Sequence, residues 1–126
     1  MFCKFPYFKG RPHIPISIES KSGRKRFLPL LDSGADFSVF YKADAIRLGL
    51  NWSEGKEIRL LNADGSDFNA REFKLNLKIE DQALKAKICF IDTQKVGTPL
   101  LGRQNIFDEF KILLNERENT ITFQSH

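Results

Sequence analysis

Phe27-Leu28-Pro29-Leu30-Leu31-Asp32-Ser33-Gly34-Ala35-Asp36 is the stretch on which the reading of this chain turns. A run of apolar residues carries one carboxylate to its end. The chain then turns through Ser-Gly-Ala, and a second apolar stretch follows at Phe37, Val39 and Phe40. A carboxylate beside an apolar core must be hydrogen-bonded or must change its pKa. Asp32 therefore reads as a functional carboxylate. The plainer alternative is an Asx-type turn, with the Asp32 side chain bonded to nearby backbone N–H groups.

Short strands flank this stretch. Ile14, Ile16 and Ile18 alternate with Pro15 and Ser17, a strand pattern that Ser20-Lys21-Ser22-Gly23 ends in a polar turn. Phe27 to Leu31 is then expected as the second strand of a hairpin. Lys42 to Leu48 has helical composition, with Ala45 and Leu48 facing inward and Gly49 at the C-terminal end. Ile58 to Leu61 is short and apolar, and Asn62-Ala63-Asp64-Gly65-Ser66 is a strong turn signal. The clearest hairpin pairs Phe73, Leu75, Leu77 and Ile79 with Leu84, Ala86, Ile88 and Phe90 around Glu80-Asp81-Gln82. Val96 to Leu101 is a second apolar approach that ends at Gly102-Arg103. Gln104 to Phe110 suits one or two helical turns. Lys111 to Leu114 and Thr120 to Phe123 suit a last strand pair. Many short strands with one or two short helices predict a mainly β fold, a small barrel or sandwich.

A chain of 126 residues fits one domain, 1–126, with a core over about 14–123 and an N-terminal extension at 1–13. Its net charge of +4 is a mild excess. The one basic cluster, Lys21, Arg24, Lys25 and Arg26, is expected in a turn between strands, so a nucleic-acid partner is not indicated. Cys3 and Cys89 form no CxxC pair and read as free thiols in a reducing, cytoplasmic setting. His13 and His126 are too few and too far apart to suggest a metal site. No apolar stretch is long enough to span a membrane.

Asp32-Ser33-Gly34-Ala35 resembles the active-site motif of aspartic proteases. Asp36-Phe37-Ser38-Val39-Phe40 extends the likeness, and Pro99-Leu100-Leu101-Gly102-Arg103-Gln104-Asn105-Ile106-Phe107 resembles the apolar-apolar-Gly-Arg segment of the retroviral-like branch. The resemblance covers roughly Ile14 to Phe123. It implies a retropepsin-like acid-protease barrel that forms a two-fold symmetric dimer, because the chain holds a single Asp-Ser-Gly and the chemistry needs two carboxylates.

On that resemblance Asp32 is the catalytic carboxylate. Ser33 hydrogen-bonds across the two-fold axis, and Gly34 permits the tight turn. Ala35 belongs to the same turn, and Asp36 pairs with Arg103 to brace it. Asn62, Ala63, Asp64, Gly65 and Ser66 form the tip of a substrate-binding flap, although a tip so poor in glycine departs from the retroviral pattern. Trp52 is assigned to packing. Phe2, Phe5, Tyr7 and Phe8 at one end, with Ile121 and Phe123 at the other, either interleave with a partner chain or fold back over their own barrel. The implied activity is peptide-bond hydrolysis of a peptide or protein substrate by a homodimer, with no cofactor or metal. The reading from another class is a non-catalytic dimerisation or peptide-binding module that kept the turn.

Overall fold

The computed structural model describes residues 2–61 and 64–126. Among the described residues, eleven strands and one α-helix follow one another: β1 (Phe2–Pro6), β2 (Ile16–Ser20), β3 (Gly23–Phe27), β4 (Leu30–Leu31), β5 (Ser38–Tyr41), α1 (Lys42–Arg47), β6 (Lys56–Leu61), β7 (Asp67–Ile79), β8 (Gln82–Ile91), β9 (Leu100–Leu101), β10 (Phe110–Asn115) and β11 (Thr120–Ser125). The fold is mainly β, with curled sheets.

The larger sheet runs β3-β2-β7-β8-β5-β9-β4, with β6 also on β7. Its spine is the β7–β8 hairpin, whose antiparallel register sets Leu75 opposite Ala86 and Leu77 opposite Leu84. Period-two alternation turns Leu75, Leu77 and Ile79 inward and leaves Lys74 and Asn76 outside. β7 is long enough to serve two neighbours along one edge. Its first half pairs with β6, from Leu61 opposite Asp67 to Lys56 opposite Glu72. Its second half meets β2 at Leu77 and Lys78.

Phenylalanines fill the interior. Phe27, Phe40, Phe90 and Phe73 form a chain of edge-on contacts with centroids 5.4, 5.8 and 5.8 Å apart. Phe40 and Phe90 are fully buried, each worth about 1.5–3 kcal/mol relative to exposure. A second group, Phe5, Phe123 and Phe110, packs under the smaller sheet. Cys89, on β8 of the larger sheet, is buried as well, and burial pushes its thiol up to about 12.

The smaller sheet has the order β1-β11-β10. β1 pairs antiparallel with β11 of its own chain, Phe2 opposite Gln124 through Pro6 opposite Thr120.

Two expectations need correction. Arg24, Lys25 and Arg26 lie in strand β3, not in a turn; only Lys21 and Ser22 turn the chain. Phe27 to Leu31 is not one strand, because Leu28 and Pro29 separate β3 from β4, and Pro29 has no N–H to donate. The helix over Lys42 to Leu48 forms as α1, with Ala45 and Leu48 buried and Gly49 at φ +67°. Its Asp44 carboxylate accepts the Tyr41 N–H at 2.9 Å, and burial raises the Asp44 pKa.

Candidate active site

β4 and β9 are two residues long and lie side by side in parallel, Leu30 opposite Leu100 and Leu31 opposite Leu101. Each is an apolar approach to a polar motif, so their pairing delivers Asp32 and Gly102-Arg103 to the same place. The Leu30 N–H donates to Pro99 O and the Asp32 N–H to Leu101 O, both at 2.9 Å. On its other side, β4 is held by the Leu31 N–H donating to Pro12 O at 2.9 Å.

Beyond Leu31 the chain turns. The Ala35 N–H donates to Asp32 O at 3.2 Å, and the Gly34 N–H donates to Asp32 Oδ1 at 2.9 Å. Asp32 therefore does make the Asx-type bond, and it remains half-buried. Ser33 and Gly34 are exposed and Ala35 is half-buried.

The two motifs lock together through backbone. Arg103 N–H donates to Ala35 O at 2.9 Å and Gln104 N–H to Asp36 O at 3.0 Å. Gly102 N–H donates to Ser38 Oγ at 3.1 Å, and Ser38 is fully buried. Gly102 is glycine for reasons of space. A Cβ there would stand 2.3 Å from Phe37 O and 2.8 Å from Ala35 O. The Arg103 guanidinium contacts the Asp36 carboxylate on the surface of this junction. Arg103–Phe107 is a broken helical turn, because Gln104 is extended and Asn105 has φ +66°. The Asn105 side chain accepts the Lys87 N–H at 3.0 Å, which ties this turn to β8.

A cleft of about 560 Å³ opens above the turn. Gly34, Ala35 and Phe37 form its floor. Leu60, Leu61 and Phe68, from the end of the β6–β7 hairpin, form its roof. Phe37 and Phe68 are 43% and 39% exposed, unlike the core phenylalanines, and face this space. Of the residues expected at the hairpin tip, Asn62 and Ala63 lie outside the described residues. Asp64, Gly65 and Ser66 are exposed, and Ser66 Oγ and N–H both donate to Asp64 Oδ1. These bonds hold the Asp64 carboxyl below its usual value. Trp52 is half-buried against the core with Lys42 Nζ 4.9 Å from its ring centre, and it lines a separate hollow with Ile58, Ala70 and Arg71.

The structure thus brings Asp32, Ser33, Gly34, Ala35, Asp36 and Arg103 into one junction. It sets the hairpin opposite them across the cleft. Neither Ser38 nor the apolar lining was among the expected site residues. The alternation of β5, which turns Ser38 inward with Phe40, carries the signal for Ser38.

A scan against protein-family models finds no match, and a search of curated proteins finds none. Solved structures do resemble the chain. A retropepsin-like aspartic protease from Rickettsia conorii superposes with a TM-score of 0.68 at 20% identity, over 97% of this chain and 98% of the other. EIAV protease complexed with the inhibitor HBY-793 superposes with a TM-score of 0.53 at 24% identity, over 76% of this chain and 85% of the other. The fold is retropepsin-like.

Proposed function

We propose that this chain is an aspartic endopeptidase that works as a homodimer, with one Asp32 contributed by each subunit. The observation that carries this reading is the interlocked junction that holds the half-buried Asp32 carboxylate in the turn whose Gly34 and Ala35 line an open cleft. A single chain supplies one such carboxylate, and a two-fold axis through the turns supplies the second. Two carboxylates a few Å apart share one proton and titrate as a pair. The ionised member takes a proton from a water held between them, while the protonated member polarises the scissile carbonyl. The dyad then returns a proton to the leaving amine. Gly34 lets the backbone approach both carboxylate and substrate, and its N–H already binds Asp32 Oδ1. Ser33, exposed beside Asp32, faces the partner turn in this arrangement.

The substrate is an extended peptide or protein segment lying between floor and roof, with apolar side chains toward Phe37 and Phe68. No metal or cofactor enters the chemistry. β11 is already flanked by β1 and β10, so a partner's terminal strand has only the outer edges of β1 and β10 to add to. No helix among the described residues is long and apolar enough to cross a membrane. With Cys3 and Cys89 unpaired, the cytoplasm is the compartment assigned.

The test is Asp32→Asn in the full chain, assayed on a diverse peptide library between about pH 4 and 7, the range set by carboxylate dyads. Cleavage is expected to fall by at least about 10²–10⁴-fold, with the melting temperature and the dimer unchanged. A variant that cuts as fast as the wild type overturns the mechanism. Wild-type protein that binds peptides but cuts none supports the non-catalytic module instead.

A further inference from the structure

The strand register collects cations that are scattered in sequence. On the outer face of β3, β2, β7 and β8, Ser17 stands opposite both Arg26 and Lys78. Glu19 stands opposite Arg24, and Lys85 opposite Asn76. Lys74 stands opposite Lys87. The alternate residues of these strands, among them Ile18, Leu77 and Ile88, are buried on the other face. Arg24, Arg26, Lys74, Lys78, Lys85 and Lys87 therefore share one surface, about 14 Å across at the usual strand spacing.

Little on this surface balances them. Glu19 is occupied by Asn76 Nδ2 at 3.3 Å, and Glu72 reaches Lys87 only at 4.0 Å. Arg24, Arg26, Lys74, Lys78 and Lys85 have no ion-pair partner among the described residues. Lys74 directly opposite Lys87 is a like-charge cross-strand pair, an arrangement that costs stability. Charge on an edge strand is an ordinary guard against sheet-to-sheet association. That accounts for Arg24 and Arg26 on β3, but not for Lys74, Lys78, Lys85 and Lys87 on the interior strands β7 and β8.

We propose that this face is a docking site for an acidic polypeptide segment, separate from the candidate active-site cleft. Three features favour a polypeptide over another polyanion. β3 is the terminal strand of the sheet, and its open edge offers a main-chain ladder that only another polypeptide completes. No aromatic residue occupies an outward position on the face, so bases have nothing to stack on. Arg24, Lys78 and Lys85 border a shallow hollow of about 340 Å³ that also holds Glu19. A phosphate at every step of a nucleic acid would meet that carboxylate, whereas a peptide can set acidic side chains on either side of it.

The experiment is fluorescence anisotropy of a labelled oligo-glutamate peptide titrated with the full chain at low salt. The variant Lys74→Glu/Lys85→Glu replaces the like-charge pair by an attractive one opposite Lys87, so its melting temperature is expected to hold. Its affinity is expected to drop about tenfold or more, while a control with the same charge change elsewhere, Lys95→Glu/Lys111→Glu, loses about twofold or less. Equal losses in the two variants would show attraction to net charge alone and overturn the site. So would no binding at all, or tighter binding at the same salt to duplex DNA or to phosphatidylserine vesicles. None of these readings needs peptide cleavage, so they stand or fall apart from the hydrolytic proposal.

Discussion

The floor and the roof of the cleft are built on opposite terms. At the floor, β4 and β9 bring two motifs together, four backbone hydrogen bonds join them, and Ser38 and Gly102 are buried between. At the roof, the end of the β6–β7 hairpin overhangs the sheet. Leu61 there is 80% exposed, and the Arg59–Asp67 ion pair at 3.1 Å is open to solvent. A surface pair of that kind is worth at most about 1 kcal/mol. In the proposed dyad, a carboxylate that meets a second one within a few Å needs a position that cannot drift. A cover that must admit a polypeptide needs one that is cheap to lift.

That contrast breaks first at Gly102. In Gly102→Ala the new Cβ meets Phe37 O, Phe37 C and Ala35 O at 2.3, 2.6 and 2.8 Å, all backbone atoms with nowhere to go. A loss of about 3 kcal/mol or more in denaturant unfolding is expected, at the upper end of overpacking costs. An unchanged midpoint would mean that the floor yields as easily as the roof. Ser38→Ala comes next. It leaves the buried Gly102 N–H without its acceptor, at a cost of about 1–3 kcal/mol with the m-value unchanged.

Much of this contrast was legible in the sequence. The apolar approaches Leu30-Leu31 and Leu100-Leu101 named both halves of the floor, and the alternation over Phe73 to Phe90 named the sheet that carries the roof. The illegible parts are those set by tertiary partners. Arg24, Lys25 and Arg26 looked like turn composition, yet Lys25 and Phe27 alternate with Arg24 and Arg26 as a strand does. An edge strand tolerates such charge because one of its faces stays wet. Asn105 adopts φ +66° because its side chain binds the Lys87 N–H, a contact made 18 residues away that no local propensity encodes. Phe37 belongs to the apolar stretch after the turn, yet it is exposed. Only the fold shows that Phe37 and Phe68, 31 positions apart, look at one another's space.

Asp36 and Arg103 lie between the two extremes, in the floor but on its surface, with side chains 64% and 60% exposed. Arg103→Gln is expected to cost about 1 kcal/mol or less in stability. Cleavage is expected to fall about tenfold through kcat, because small displacements of a reacting group are costly even when the fold survives. If thermal melts showed Arg103→Gln as destabilising as Ser38→Ala, the pair would belong to the folding core and not to the alignment of the turn.

The smallest effect on stability belongs to the roof. Leu61→Ala removes a side chain that is four-fifths exposed, so the change in unfolding free energy is expected within about 0.5 kcal/mol. If the hairpin closes over substrate, Leu61 gains its contacts only in the complex, and the loss appears in KM with kcat little changed. A peptide substrate titrated against Leu61→Ala and Gly102→Ala then separates the two regions. The roof variant shifts KM at full stability, whereas the floor variant loses folded protein before any change in KM can be read. A Leu61→Ala enzyme with unaltered KM would make the hairpin a bystander and leave the cleft open on that side.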